Sequence, residues 1–274
     1  MDPRTCQAFA TRLASIKGFH RHVFSYVPQT GSTNDDLKSD WALEQPHPRV
    51  LVAGHQTHGR GLYDRQWHDQ PKEESNSHAL LASFSWDQPL QEQTPGLPLS
   101  ILAGLAVHHA LEVFWTHRHR PWLKWPNDIW VENGKLCGIL IESTPCPQEK
   151  RYAIGIGINL NNVLPLEKKE QNVVSLTDFD IQVSPLTLLE TILIKWSEVQ
   201  EISDTTLLKN DYHHRAGEFW TKQVRIELAS GESFLAQPID LADEGGLWIQ
   251  DKKNERRLIS DARRIFISTS LPQG

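Results

Sequence analysis

The sequence has little cysteine, no large excess of charge of either sign and no long hydrophobic run. Its three cysteines, Cys6, Cys137 and Cys146, lack the spacing of a disulfide framework, which favours a reduced compartment and a cytoplasmic protein. The longest apolar stretch, from Gly96 to Val107, is shorter than the ~20 residues that span a bilayer. The first twenty residues also lack the apolar segment of a signal peptide. We therefore expect no membrane insertion.

The composition is that of a globular protein. A length of 274 residues allows one large domain or a catalytic domain with a smaller one. The hydrophobic fraction of 39% is too high for a disordered chain. A formal net charge of -6 argues against a protein that binds nucleic acid by neutralising many phosphates.

Hydrophobic periodicity predicts helices and strands in mixed order, followed by a region of short strands only. Short alternating runs begin after Gly217 and are typical of a small β-barrel, so we place a domain boundary there, giving domains 1–216 and 217–274. The helices are predicted at 4–17, 33–44, 99–117 and 185–215, with a break at 204–205, and the strands of the first domain at 22–27, 49–56, 79–86, 122–142 (a pair with an Asn-Gly turn) and 151–160.

Three stretches concentrate polar residues beside predicted strands. Ser32, Thr33 and Asn34 stand at a helix start, where they form either an ordinary cap or a site for a polar ligand. In the second stretch, Gly59 and Gly61 flank Arg60, whose planar guanidinium suits a carboxylate or phosphate. A solvated turn would also account for that stretch.

The third stretch places lysines in strands. Lys124 precedes Trp-Pro-Asn-Asp, and Lys135 enters an apolar strand, where an ammonium is costly unless it meets an anion. An edge lysine that reaches solvent is the alternative. Further along the chain, residues 153–159 alternate isoleucine with small residues, so their glycines share one face. That face leaves room for a flat ligand or for close packing.

In these stretches and in their order, the chain resembles the biotin protein ligases over roughly residues 23–160. The region after Gly217 more weakly resembles the SH3-like C-terminal domain of that family. The resemblance implies an α+β fold, with helices on one side of a mixed β-sheet and an open substrate face. It also implies that biotin and ATP, with Mg²⁺, form biotinoyl-5'-AMP. The biotinoyl group then passes to a lysine of a biotin carboxyl carrier protein.

The resemblance also assigns roles to individual residues. Lys135 and Arg60 are the implied catalytic residues, at the biotin carboxylate and the α-phosphate. The implied biotin-binding residues are Ser32, Thr33, Asn34, Gln56, Gly59, Arg60, Gly61, Leu62, Lys135 and Gly138. The implied nucleotide-binding residues are Arg60, Arg65, Trp67, Lys124, Asn127, Asp128 and Asn159. No resident metal site is expected.

One segment departs from the family pattern. After Gly-Arg-Gly the family usually has two basic residues and a glycine, whereas this chain has Leu62, Tyr63 and Asp64. Each lost charge-assisted contact is worth roughly 1.5 to 3 kcal/mol. We hypothesise that the adenylate leaks from the site, unless Tyr63 compensates by stacking on adenine.

The sequence leaves two other functions open. One is a lipoate or octanoate transferase of the same superfamily, although Ser32, Thr33 and Gln56 favour a polar ligand head such as biotin. The other is a non-catalytic sensor of biotin or its adenylate. The 31 residues before Ser32 are too few for a helix-turn-helix domain, so DNA binding is not expected, and a homodimer is possible.

Overall fold

The computed structural model describes residues 1–41, 48–67, 79–89, 97–145, 149–161, 172–260 and 262–267. They form six helices and twelve strands that build two sheets. The end of the predicted helix 33–44, from residue 42 onward, and Cys146 lie outside the described residues.

The larger sheet has seven strands in the order β1-β2-β3-β7-β6-β5-β4. β1 and β2 are parallel, whereas the other neighbouring strands are antiparallel, so the sheet is mixed as predicted. Its strands are β1 (Val23–Val27), β2 (Arg49–Ala53), β3 (Ala79–Pro89), β4 (Pro121–Lys124), β5 (Asp128–Val131), β6 (Gly134–Pro145) and β7 (Glu149–Asn159).

The two faces of this sheet differ in chemistry. Ile154, Ile156 and Ile158 of β7 belong to the main hydrophobic core on one face. Their neighbours Gly155 and Gly157 point to the other face, since side chains alternate along a strand. Gly155 pairs with Ser83 of β3, which brings a polar side chain beside the glycine.

Most helices cover the isoleucine face. These are α1 (Pro3–Leu13), α3 (Leu99–Phe114) and α4 (Pro185–Gln200), and α5 (Thr205–Arg215) packs on α3. The short helix α2 (Thr33–Asp40) instead lies on the glycine face, where Leu37 packs on Leu51 and Ala153. The prediction that helices occupy one side only is therefore wrong, because α2 packs on the glycine face through a small apolar contact.

The second sheet begins at Val224, after the short helix α6 (Gly217–Thr221). It is antiparallel throughout, in the order β11-β10-β9-β8-β12. Its strands are β8 (Val224–Leu228), β9 (Ser233–Leu241), β10 (Leu247–Asp251), β11 (Arg256–Ile259) and β12 (Ala262–Ile267). It contacts the larger sheet closely, since the indole of Trp125 donates to the Gly245 carbonyl at 2.8 Å.

Two further expectations need correction. Residues 122–142 form three strands, not a pair, because the chain turns at Pro126 and Asn127 between β4 and β5. β12 was not predicted from the sequence, although it completes the second sheet beside β8. Among the described helices, none is long and apolar enough to cross a membrane.

Candidate active site

Four neutral polar side chains meet between α2 and the glycine face, and we call Thr33, Asn34, Gln56 and Ser83 the polar cluster. Gln56 Oε1 accepts hydrogen bonds from the backbone N–H and hydroxyl of Thr33, at 2.7 and 3.0 Å. The Ser83 hydroxyl lies 2.6 Å from Thr33 Oγ1 and 2.7 Å from Asn34 Oδ1. This mutual bonding fixes the amides and hydroxyls in defined orientations at little exposure to solvent.

The glycines of β7 make this arrangement possible. A Cβ on Gly155 would lie 2.5 Å from Asn34 Oδ1, so any other residue there would push Asn34 away. Ser32 is buried beside the cluster, and its hydroxyl makes no capping hydrogen bond within α2. Ser32 occupies the N-cap position of α2, where its carbonyl accepts from the Asp36 N–H at 3.0 Å, but its hydroxyl does not cap the helix.

A network of charged side chains borders the polar cluster, and we call Asp35, Lys38, Arg60 and Glu142 the Arg60 clamp. Arg60 Nη2 donates to Asp35 Oδ1 and to Glu142 Oε2, each at 2.6 Å. Lys38 Nζ lies 2.7 Å from Glu142 and 3.0 Å from Asp35. Asn34 Nδ2 also donates to Glu142, at 3.0 Å, which joins the clamp to the polar cluster.

The segment that carries Arg60 forms a tight turn. The Trp67 N–H donates to the Gly59 carbonyl at 2.9 Å, and the Gly61 N–H donates to the Arg65 carbonyl at 2.7 Å. This turn places the Trp67 indole on the glycine face. A Cβ added to Gly157 would lie only 2.7 Å from the ring. A Cβ on Gly138 would lie 3.0 Å from it. The small residues of the face thus accommodate a flat aromatic ring.

Two buried charges and one half-buried charge form a second group on the same face, and we call Lys124, Asp128 and Lys135 the lysine cluster. Lys135 Nζ lies 2.6 Å from Asp128 Oδ1, and Lys124 Nζ lies 3.6 Å from Asp128 Oδ2. A register shift between β5 and β6 adjoins Lys135, whose Nζ would lie 3.1 Å from a Cβ on Gly138. Such irregularities change the direction in which a strand side chain points. This register shift lies beside Lys135, whose side chain points toward the site.

Burial and mutual attraction set the protonation of the lysine cluster. Burial lowers the pKa of Lys124 to about 8, although the charge of Asp128 opposes the effect. Burial would raise the pKa of Asp128, but the charges of Lys135 and Lys124 outweigh it and hold that pKa below its usual range. Asp128 is thus ionised near neutral pH, and the cluster carries one negative charge for two ammonium groups. The lysine cluster therefore has an excess of positive charge that can attract an anion.

Arg60 and Lys135 lie on one face but bind different carboxylates. Their partners Glu142 and Asp128 are separated along the sheet, since Asp128 is paired with Gly138, about 13 Å along β6 from Glu142. The sequence interpretation expected both cations in one pocket, at the biotin carboxylate and the α-phosphate. The structure instead places Arg60 beside the polar cluster and Lys135 in the lysine cluster, with Trp67 lying over Gly138 and Gly157.

Two predicted ligand residues use their amides for the fold. Asn127 Nδ2 donates to the Ile139 carbonyl, and the Ile139 N–H donates to the Asn127 carbonyl at 3.0 Å. Asn159 Nδ2 donates to the Val174 carbonyl at 3.1 Å. Both amides therefore hold the backbone around the lysine cluster.

A cleft of about 490 Å³ separates the two sheets next to Lys124. Leu62 and Tyr63 line one side, Trp125 and Pro126 another, and Gly245 with its neighbours the side of the second sheet. Leu62 thus faces the cleft, although the resemblance places it at biotin. Arg65 lies between these regions, since its Nε donates to the Leu62 carbonyl at 3.0 Å and its charge acts on Lys124 and Asp128.

Four residues of the polar cluster and the Arg60 clamp were not found from the sequence: Asp35, Lys38, Ser83 and Glu142. Ser83 and Ser85 alternate in an otherwise apolar strand, which is a signal for a polar face. Glu142 follows Gly138 and Leu140 on the same face of β6, at the end of the segment 122–142 that was predicted as strand. Asp35 stands in the polar stretch after Ser32 but was read as helix capping.

The described residues contain no group of three or more histidines, cysteines and carboxylates that could hold a metal ion. Cys137 is fully buried, and burial raises the pKa of its thiol. A thiol in that state is a poor nucleophile. The cations and the polar cluster of this face can position a ligand and stabilise negative charge.

A neutral hydrogen-bonding cluster beside an arginine and a lysine pair defines a site for a small ligand that has a polar head and an anionic group. The biotin/lipoate A/B protein ligase family model matches residues 26–161. A biotin--[acetyl-CoA-carboxylase] ligase from Mycobacterium tuberculosis is 30% identical over 226 residues, which cover 81% of this chain and 80% of that protein. The chain belongs to the biotin/lipoate A/B protein ligase family.

Other relatives match in part. The bifunctional ligase/repressor BirA of Bacillus subtilis is 35% identical over 159 residues, and this match spans 57% of the chain but only 46% of BirA. The fold resembles that of a biotin protein ligase from Aquifex aeolicus in complex with biotin and ATP. The TM-score is 0.69 at 23% identity, covering 89% of this chain and 99% of that one. The similarity confirms the predicted fold of a ligase domain with a second antiparallel sheet.

Proposed function

We propose that this protein is an ATP-dependent ligase that attaches biotin to a lysine of a biotin carboxyl carrier protein. The observation that carries the proposal is the similarity to the Mycobacterium tuberculosis ligase, which covers 81% of this chain and 80% of that protein. The geometry agrees with it, since the glycine face offers neutral groups for a ureido ring and cations for a carboxylate and phosphates.

The reaction has two steps. A biotin carboxylate oxygen attacks the α-phosphorus of ATP, the bond to the β-phosphate oxygen breaks, and pyrophosphate leaves. The lysine amine of the carrier then attacks the acyl carbon of biotinoyl-5'-AMP, loses a proton and releases AMP. Neither step needs a covalent bond to this chain, which fits a face that offers cations and no activated nucleophile.

The polar cluster is the proposed site of the biotin head. The ureido ring of biotin has two N–H donors and one carbonyl acceptor. The polar cluster presents hydrogen-bond donors and acceptors in fixed positions. Ser32 adds a hydroxyl next to Thr33. The head of lipoate has no N–H or carbonyl group and would gain no hydrogen bond from this cluster, which disfavours lipoate as the substrate.

The lysine cluster is the proposed site of the ATP phosphates, with the biotin carboxylate between them and Arg60. As the carboxylate attacks, negative charge builds on the α-phosphate oxygens and on the leaving pyrophosphate. Lys135 is the less buried of the two lysines and reaches the face beside Gly138, where it would stabilise this charge. Lys124 and Arg65 would hold the phosphates from the side of the cleft.

The cleft beside Lys124 is the proposed adenosine site. Its volume is within the range of small-molecule sites, about 300–1,000 Å³, and Tyr63 and Trp125 offer aromatic rings there. Mg²⁺ enters the proposal with ATP, as the counter-ion of its phosphates. Asp128 is already bound by two ammonium groups, so we assign it no metal.

Leakage of the adenylate stays a prediction. Its test is incubation of the protein with MgATP, biotin and a bulk protein that has exposed lysines. Labelling of the bulk protein would support leakage, and labelling of the carrier alone would reject it.

Mass spectrometry of a carrier domain tests the function. After incubation with this protein, biotin and MgATP, we expect a single added biotinoyl group on the carrier, which excess lipoate does not replace. An added lipoyl group would identify a lipoate ligase. An unmodified carrier, together with no pyrophosphate exchange, would identify a sensor.

A further inference from the structure

The hydrogen-bond donors of the Arg60 guanidinium are not equally used. Its Nη2 donates to both Asp35 and Glu142, whereas its Nε is buried and has no hydrogen-bond partner among the described residues. Nε–H and one N–H of Nη2 form the edge on which arginine binds a carboxylate through two parallel bonds. A ligand carboxylate that uses this edge must therefore displace one of the two protein carboxylates from Nη2.

The two carboxylates differ in how firmly they are held. Glu142 lies on a strand, with its side chain 21% exposed, and accepts hydrogen bonds from Asn34, Lys38 and Arg60. Burial would raise the pKa of Glu142, but these donors outweigh it and hold the pKa below its usual range. Glu142 is thus a charged and anchored group at neutral pH.

Asp35 is held more weakly. Its side chain is 50% exposed, and its bonds are to Arg60 and to the flexible side chain of Lys38. Ion pairs at this level of exposure contribute little to stability, because solvent screens them. Asp35 is therefore the carboxylate that a ligand can replace at the least cost.

We infer that Glu142 is a positioning residue that fixes Arg60 beside the polar cluster, and that Asp35 is an internal competitor which the ligand carboxylate displaces. The inference rests on the proposed function and deepens it. The unpartnered Nε supplies one bond to the ligand, and the N–H released by Asp35 supplies the other. Because Asn34 bonds to Glu142, the clamp also links the biotin head to the charge at its other end.

The inference predicts opposite effects for two isosteric substitutions. Asp35→Asn removes the competitor, so biotin should bind about 3-fold more tightly. Glu142→Gln removes the anchor, so biotin should bind at least about 10-fold more weakly. Biotinamide, which has no carboxylate, should bind Asp35→Asn and wild type equally, and it should lose less affinity than biotin in Glu142→Gln.

Isothermal titration of the full chain with biotin and with biotinamide tests this. Asp40→Asn is the matched control, since Asp40 lies on the same helix but pairs with Arg49, and it should leave both affinities unchanged. Asp35 is half exposed, so its variant keeps the test valid if Glu142→Gln does not fold.

Several results would overturn the inference. Weaker biotin binding by Asp35→Asn, or an equal gain for biotinamide, would show that Asp35 does not compete with the ligand carboxylate. Equal losses of both ligands in a folded Glu142→Gln would reduce Glu142 to a structural role. A wild-type chain that binds no biotin would instead remove the proposed function, and the inference with it.

Discussion

The polar cluster and the lysine cluster lie on the same face of one sheet, yet they are built in opposite ways. In the polar cluster, neutral groups bond to one another, and the cost of burying them is already met within the protein. In the lysine cluster, one carboxylate serves two ammonium groups, so positive charge remains uncompensated. The first arrangement suits recognition of a fixed neutral shape, and the second suits charge that develops during a reaction.

The comparison is tested most severely by Asp128→Asn. Loss of this carboxylate would leave two ammonium groups without an anion, so the free energy of unfolding should fall by about 3 kcal/mol. Chemical denaturation would measure it. Asp87→Asn, which breaks an ion pair with Arg151 at the rim, is the control and should change stability by less than about 1 kcal/mol. A stability loss as small as that of the control would mean that Asp128 is not needed to hold the lysines.

Lys135→Met tests the lysine cluster in catalysis. If Lys135 stabilises charge in the transition state, the rate of adenylation should fall about 10²- to 10³-fold. Biotin-dependent pyrophosphate exchange measures that rate. Lys150→Met is the matched control, because Lys150 lies exposed over the ring of Tyr152 on the far end of β7. Near-normal exchange by Lys135→Met would contradict the assigned role.

Gly155→Ala tests the polar cluster by itself. The added methyl group would meet Asn34 Oδ1, and overpacking of this kind costs about 1–3 kcal/mol. We expect the KM for biotin to rise about 10-fold while the KM for ATP stays unchanged. Gly217→Ala, where a Cβ meets nothing within 4 Å, is the control. An equal rise in both KM values would show that the two clusters are not separate in function.

The pH dependence sharpens the role of Lys124. Its pKa of about 8 means that the free enzyme loses this positive charge as the pH rises above that value. The kcat/KM for ATP should therefore fall above pH 8, by up to about 10-fold per pH unit if the ammonium is essential. In Lys124→Arg the descending limb should move to higher pH. A profile that is identical in the two proteins would exclude Lys124 as the titrating group.

The smallest expected effect concerns Tyr63. Stacking of aromatic rings contributes about 0.5–1.5 kcal/mol, so Tyr63→Ala should raise the KM for ATP by roughly 3- to 10-fold. The KM for biotin should not change, because Tyr63 lines the cleft and not the polar cluster. Tyr63→Phe should behave as wild type. A change in the KM for biotin alone would place the cleft outside the nucleotide site.

The sequence predicted the helices and strands better than it predicted which strands pair with one another. The alternation in residues 151–160 shows a strand with glycines on one face, since that pattern is local. The pairing of Gly155 with Ser83 and Leu140 is not local, because it depends on contacts between distant segments of the chain. This is why Ser83 and Glu142 were missed, although the strands that carry them were expected.

The same limit applies to the charged residues. The sequence interpretation proposed Arg60 and Lys135 as cations near a ligand, and in the structure their carboxylate partners Glu142 and Asp128 lie on the glycine face. Their partners Glu142 and Asp128 are determined by strand register and by the register shift beside Lys135. A motif gives the type of group available, and only the fold determines which charges it meets.

Exchange of labelled pyrophosphate into ATP by the unmodified protein, with and without biotin, tests the central claim most directly. The account predicts exchange that requires biotin and is not supported by biotinamide, because the carboxylate must be joined to the α-phosphate. Absence of exchange at saturating biotin and MgATP, or exchange at the same rate without biotin, would contradict it.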